Sequence, residues 1–267
     1  STVQVHGSGR DTRWTLLAYY IGRERYAGGR LAIGLNLPYV ARRTQASRAT
    51  GTTPALQWSP AVPPATRNAV QAQFDSRYQA SLADAAGLGS GEASGLGDIE
   101  LQAAWLHSAE RLHWRAGASV VLPTGDYDPA AGPDVSLGNF YTLRPAAQLA
   151  WLPTPEVALA SRLTLGINSR NRDTQVRSGN WASLEAAAGY RTRVGVVGLH
   201  GIRIQQVQDD SNNPWGPSRF RMTTAGAFFT TRVPVIEVTL TLQYMAATAS
   251  ENAKHGRFSQ LRLSKQF

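Results

Sequence analysis

Any chemistry in this 267-residue chain must come from its histidines, hydroxyls, acids and cations, so their spacing is read first. The histidines are His6, His107, His113, His200 and His255. No two stand at a metal-ligand spacing, and with no cysteine there is neither a thiolate zinc site nor a cysteine nucleophile. No metal and no cofactor are expected. A serine hydrolase needs a serine, a histidine and an orienting polar group within reach. His107 and Ser108 are adjacent, and no Gly-x-Ser-x-Gly stretch or phosphate-binding loop occurs. The chain therefore reads as a non-enzyme, with no catalytic residue expected.

The charges are more informative. The net charge is +9, and of 27 basic residues only Lys254 and Lys265 are lysine. A planar guanidinium forms several hydrogen bonds at once in a confined place, which an ammonium cannot. Nucleic acid is the usual partner of a basic chain, but these arginines stand singly at strand spacing, without a basic run or a recognition motif. Nucleic acid is not expected as a partner.

The elements that carry the arginines alternate with a period of two, the mark of a strand with one apolar and one polar face. In "LHWRAGASVVL", Leu112, Trp114, Ala116, Ala118, Val120 and Leu122 oppose His113, Arg115, Gly117 and Ser119. In "VALASRLTLGINSR", Leu159, Leu163, Leu165 and Ile167 oppose Arg162, Thr164, Asn168 and Arg170. Eleven such strands are read near 12–22, 29–42, 95–107, 112–124, 139–151, 157–170, 180–191, 195–208, 218–232, 234–248 and 257–267. Tight turns ("SAER", "LPTPE", "RTR", "RVP") alternate with longer polar loops ("GDYDPAAGPDVSLG", "NRDTQVRSG", "DDSNNPWGP", "SENAKHG"). Residues 44–94 form the longest connection, with a helix expected near 64–86 whose Val70, Phe74, Tyr78 and Leu82 make an apolar stripe.

Alternation alone fits a soluble sandwich or a membrane barrel. Three features select the barrel. Trp105, Trp114, Trp151, Tyr190 and Phe267 lie on the apolar face beside the short turns, as an aromatic girdle at the lipid headgroups does. Many strands reach the ~9–11 residues that span a bilayer, where soluble strands average five or six. The polar face carries Arg30, Asp98, Glu100, Arg115, Arg144, Arg162, Arg170, Glu185, Arg203, Arg221, Glu237 and Arg262 among small residues, which suits a lumen crossed by ion pairs. The expected fold is all-β: one transmembrane antiparallel up-and-down barrel over 1–267. About twelve strands are expected, because bacterial barrels have even numbers. The first would be short, or partly absent from this chain, and lie before 12–22. Residues 44–94 would be an extracellular loop with a short helix.

Five stretches resemble one family: "AGGRLAIGLNLPYV" (27–40), "GLGDIELQAAW" (95–105), "VVLPTGDYD" (120–128), "GINSRNRDTQVRSGNW" (166–181) and "GLHGIRIQQVQDD" (198–210). In order and spacing they are similar to the outer-membrane channel family of phenol meta-pathway degradation proteins. The resemblance covers about residues 27–267 and implies uptake of hydrophobic, including aromatic, compounds without catabolic activity. The expected site is thus the arginine-rich lumen, with Trp58, Phe74 and Tyr78 as an entry site. Expected partners are membrane lipid and lipopolysaccharide, small hydrophobic molecules, and the barrel-assembly machinery, which the aromatic-ended last strand would engage. The expected state is a monomer in the bacterial outer membrane. Two alternatives stand beside it: a low-conductance, anion-preferring pore, and a structural or lipid-hydrolysing envelope protein.

Overall fold

A computed structural model describes residues 3–88, 90–130, 132–213 and 218–267. The strands are β1 (Val3–Tyr26), β2 (Gly29–Gly51), β3 (Gly91–Leu96), β4 (Glu100–Ser108), β5 (Leu112–Val121) and β6 (Thr142–Trp151). After them come β7 (Val157–Asn168), β8 (Trp181–Arg191), β9 (Val196–Gln206), β10 (Arg221–Val233), β11 (Val238–Glu251) and β12 (Arg257–Lys265). One α-helix, α1 (Pro64–Leu88), lies between β2 and β3.

The chain divides into two compact units. The first holds the chain up to Leu16, Leu37–Asp98 and Pro123–Asn139; the second holds Leu17–Asn36, Ile99–Leu122 and Phe140–Phe267. In the second unit the strands are all antiparallel to their neighbours and pair in the order β1, β2, β4, then β5 through β12 in sequence. In the first, β3 pairs with the later part of β2, Tyr39 opposite Leu96 through Thr44 opposite Gly91.

The count of twelve agrees with expectation, but its make-up differs. No short strand precedes 12–22 among the described residues, because β1 is one 24-residue strand that includes them. The twelfth strand is β3, produced by a break at Gly97–Ile99 within the expected 95–107 strand. The break falls where the pairing slips by one residue: Tyr39 is opposite Leu96 but Asn36 is opposite Glu100, and Pro38 between them has no N–H to donate.

Helix α1 runs 25 residues, longer than a short loop helix. Pro64 suits the first helical turn, where its missing N–H is not needed. The preceding segment is tied to the helix by Arg67, which donates to the carbonyls of Val62 (2.7 Å) and Pro60 (2.9 Å), and by Gln71, which accepts from Leu56 N–H at 3.1 Å. Of the expected stripe, Phe74, Tyr78 and Leu82 are half-buried and Val70 is exposed.

Candidate functional site

The two faces of the second unit decide its surroundings. Residues directly opposite across an antiparallel pair share a face. One face carries Leu31, Ile33, Leu101, Leu149, Leu163, Leu184, Leu199 and Leu261, all exposed; Leu163 is 49% and Leu184 55% accessible. The other carries Ser119, Thr142, Thr164, Ser183 and Thr224, all buried. A water-soluble fold buries its apolar face to gain roughly 25 cal/mol per Å². Here the arrangement is inverted, as it must be when the outer solvent is hydrocarbon.

The polar face is a connected network. Glu100 accepts from Asn36 Nδ2 at 3.2 Å and from the Ser119 hydroxyl, and lies 3.6 Å from the Arg144 guanidinium. Arg115 donates to Gln102 Oε1 at 2.9 Å, and the Tyr19 hydroxyl donates to the same oxygen at 3.1 Å. The Arg115 guanidinium lies 5.5 Å from the Tyr19 ring centre, and that of Arg144 lies 5.7 Å from the Trp181 ring. Each ring lies over a glycine of the neighbouring strand, where a side chain would meet it. A Cβ at Gly34 would stand 2.6 Å from the Tyr19 ring, and one at Gly166 would stand 2.0 Å from the Trp181 indole. Arg162 follows, opposite Gln148 on β6 and Glu185 on β8. Glu185 approaches His200 at 3.6 Å, and the other ring nitrogen of His200 meets the Gln243 amide across Gly226. Arg115, Arg144 and Arg162 all line one cavity, with Gln102, Ser119 and Gln148.

Arg30 and Arg262 lie on this face too, opposite Leu106 and Thr241. Five of the expected polar-face residues do not. Arg203 lies opposite Leu184, and Arg221 opposite Gln205 and Glu251, so both are on the apolar face near the loop end; Arg221 is ion-paired to Glu251. Arg170 lies beyond the end of β7, and Glu237, with φ +55°, closes the 3-10 turn Pro234–Ile236 before β11 begins. Asp98 lies between β3 and β4 in the first unit. Its carboxylate accepts from Gly125 N–H (3.0 Å), Leu137 N–H (2.6 Å) and the Ser136 hydroxyl (3.1 Å), so it fastens the 123–139 loop. Nor do Glu100 and Arg115 pair. The register sets Glu100 opposite Val121 and Arg115 opposite Leu106, six residues apart along the β4–β5 ladder.

Trp105, Trp114, Trp151 and Tyr190 lie on the apolar face at the short-turn end. Trp105 and Trp114 pack edge to face with ring centres 4.4 Å apart, and the Trp105 indole N–H donates to the Tyr26 carbonyl at 2.8 Å. Phe267 lies just past β12, its ring 5.5 Å from the Lys265 ammonium. In the first unit Phe74 and Tyr78 stack at 6.2 Å, one turn apart on α1. Trp58 is half-buried and makes no ring contact with them among the described residues. Tyr19, Gln102, Gln148 and Trp181 were not expected in the site. For Gln102, Gln148 and Trp181 the signal is an aromatic or amide at polar-face parity opposite a glycine or an arginine.

The loop motifs have local roles. Asn168 donates to the Ser178 and Gly179 carbonyls and accepts from the Thr142 hydroxyl at 2.9 Å, and Asn171 Oδ1 accepts from Asp173 and Thr174 N–H. Outside the strands, Arg219 forms two bonds to Asp209, at 2.6 and 3.1 Å. These hold the Asp209 carboxyl below its ordinary value and raise Arg219.

Up-and-down pairing with the apolar face outward defines an outer-membrane β-barrel. The structure is similar to the crystal structure of an outer membrane channel from Pseudomonas putida F1, with TM-score 0.68 and 13% identity, over 96% of this chain and 82% of that one. No curated protein sequence matches. Residues 7–262 match the family model described as "Putative MetA-pathway of phenol degradation", and the chain belongs to that family.

Proposed function

We propose that the chain is a passive uptake channel of the bacterial outer membrane for small hydrophobic and aromatic molecules, with the polar face as its lumen. The inversion of the two faces carries this reading: exposed leucines suit lipid, and a covered, hydrogen-bonded polar face suits a narrow wet path. The path runs past Arg30, Glu100, Arg115, Arg144, Arg162, Glu185 and Arg262. Tyr19 and Trp181, flat against that wall, offer ring faces to an aromatic solute. Trp105, Trp114, Trp151, Tyr190 and Phe267 form the headgroup girdle at the short-turn end, against membrane lipid, and lipopolysaccharide meets the long-loop end. The last strand engages the assembly machinery, and Phe74 and Tyr78 offer a first contact. The similar structure being a channel, rather than an enzyme, supports the same reading.

The test is uptake of a fluorescent aromatic compound by proteoliposomes, with correct insertion checked by heat-modified gel mobility. Faster entry than into protein-free liposomes is expected, and equal rates remove the proposal.

A second reading is an anion-preferring pore. Arg30, Arg115, Arg144, Arg162 and Arg262 outnumber Glu100 and Glu185 on the polar face, and fixed positive charge concentrates anions. A reversal potential favouring cations in a salt gradient rejects it.

A further inference from the structure

We propose that Arg115, Arg144 and Arg162 together bind the carboxylate of an amphipathic aromatic acid, a selective site within the path. The proposal rests on the uptake reading and names a substrate class for it. Three successive strands, β5, β6 and β7, each send one arginine into a single cavity. Adjacent strands are ~4.8 Å apart, so Arg115 and Arg162 start roughly 10 Å from one another, with Gln148 between them. Glu100 lies 3.6 Å from Arg144. Glu185 stands opposite Arg162 and lies 3.6 Å from His200. Two carboxylates therefore meet three guanidinium groups, and the net positive charge suits an anion supplied by the solute.

Guanidinium groups present paired N–H donors in the plane that a carboxylate accepts. The walled part of the cavity is about 20 Å³. That is room for one water-sized group, so a carboxylate and its ring lie in the open part beyond it. The wider space, with its open side, measures about 330 Å³. Two ring faces flank the arginines: Tyr19 beside Arg115 and Trp181 beside Arg144. A solute with an anionic head and a benzenoid body thus meets cations and aromatic faces together.

The experiment measures block of single-channel current by benzoate, acetate and benzyl alcohol in planar bilayers. Parent, Arg162→Gln and Arg115→Gln/Arg162→Gln proteins are compared, with gel mobility confirming insertion. Benzoate is expected to block the parent, with half-blocking concentration raised about tenfold in Arg162→Gln and further in the double variant, as for loss of charge-assisted bonds. Acetate and benzyl alcohol should block at least tenfold more weakly than benzoate. This comparison on the parent alone decides the matter if a variant does not insert. Equal block of parent and double variant, no benzoate block of the parent, or acetate as effective as benzoate overturns the proposal. Benzyl alcohol entry into proteoliposomes reads the uptake proposal separately: no entry with benzoate block intact overturns uptake and supports the site.

Discussion

Leu163→Arg is the sharpest perturbation of the face assignment. Leu163 stands near the middle of the 12-residue strand β7 and is 49% accessible on the apolar face. An arginine on the lipid face at mid-depth costs ~2–4 kcal/mol. At about 1.4 kcal/mol per decade, the folding equilibrium in lipid falls roughly 30- to 700-fold. That is a large share of a typical stability of ~5–15 kcal/mol. The control is Ala160→Arg, three residues away on the same strand. Ala160 is on the polar face, opposite Ala150 and Ala187, where Arg162 is already accommodated two residues on. The assay is urea titration of folding into vesicles, read by heat-modified gel mobility. Leu163→Arg should shift the midpoint strongly to lower urea, and Ala160→Arg should stay near the parent. Parent-like folding of Leu163→Arg, with failure of Ala160→Arg, refutes the assignment of faces.

Three further outcomes follow from particular contacts. Asp98→Ala leaves two backbone N–H groups and a hydroxyl without their carboxylate, a loss of ~1–3 kcal/mol; proteolysis at 123–139 should quicken while the β4–β12 sheet stays folded. Gly166→Ala sets a methyl into the Trp181 indole, so the ring must leave Arg144; near-ultraviolet dichroism should change, and an unchanged spectrum would contradict the packing. The Asp209–Arg219 clip contributes stability that is present above the ordinary carboxylate range. Because the folded carboxyl titrates below its ordinary value, that contribution is lost as pH falls through the lowered value. Both partners are exposed, so the effect is small and weakened by salt. Hydrogen-exchange protection factors at 207–213 and 218–220, corrected for the intrinsic pH dependence of exchange, should fall at acid pH in the parent and change less with pH in Asp209→Asn.

Much of this was readable from alternation, and the failures have local causes. In β5 and β7 large apolar residues on one face contrast sharply with arginine, serine and threonine on the other, and the parity reading of Arg115 and Arg162 agrees with the structure. In "GLHGIRIQQ" the contrast disappears: Ile202 and Ile204 occupy the polar face while Val197, Leu199 and Arg203 occupy the other. Charge alone then misassigns Arg203, and Arg221 with it through the β9–β10 register. Asp98, Arg170 and Glu237 were misassigned differently, because parity counts have no meaning past a strand end. Gly97 and Pro234 mark two of those ends in the sequence itself. The added part of β2, up to Gly51, shows no apolar–polar alternation in its sequence, "ARRTQASRAT", so alternation gave no sign of it. The pairing of Glu100 with Arg144 depends on the register from β4 through β6, which no local pattern encodes.

The account rests on which face meets lipid, and bromolipid quenching of single-tryptophan variants measures that directly. Trp151 is on the apolar face, 49% accessible, whereas the Trp181 indole lies on the polar face against Gly166. In vesicles, Trp151 fluorescence should be strongly quenched by brominated acyl chains and little affected by aqueous acrylamide. Trp181 should respond in the opposite sense. Strong bromolipid quenching of Trp181 with none of Trp151 contradicts the account.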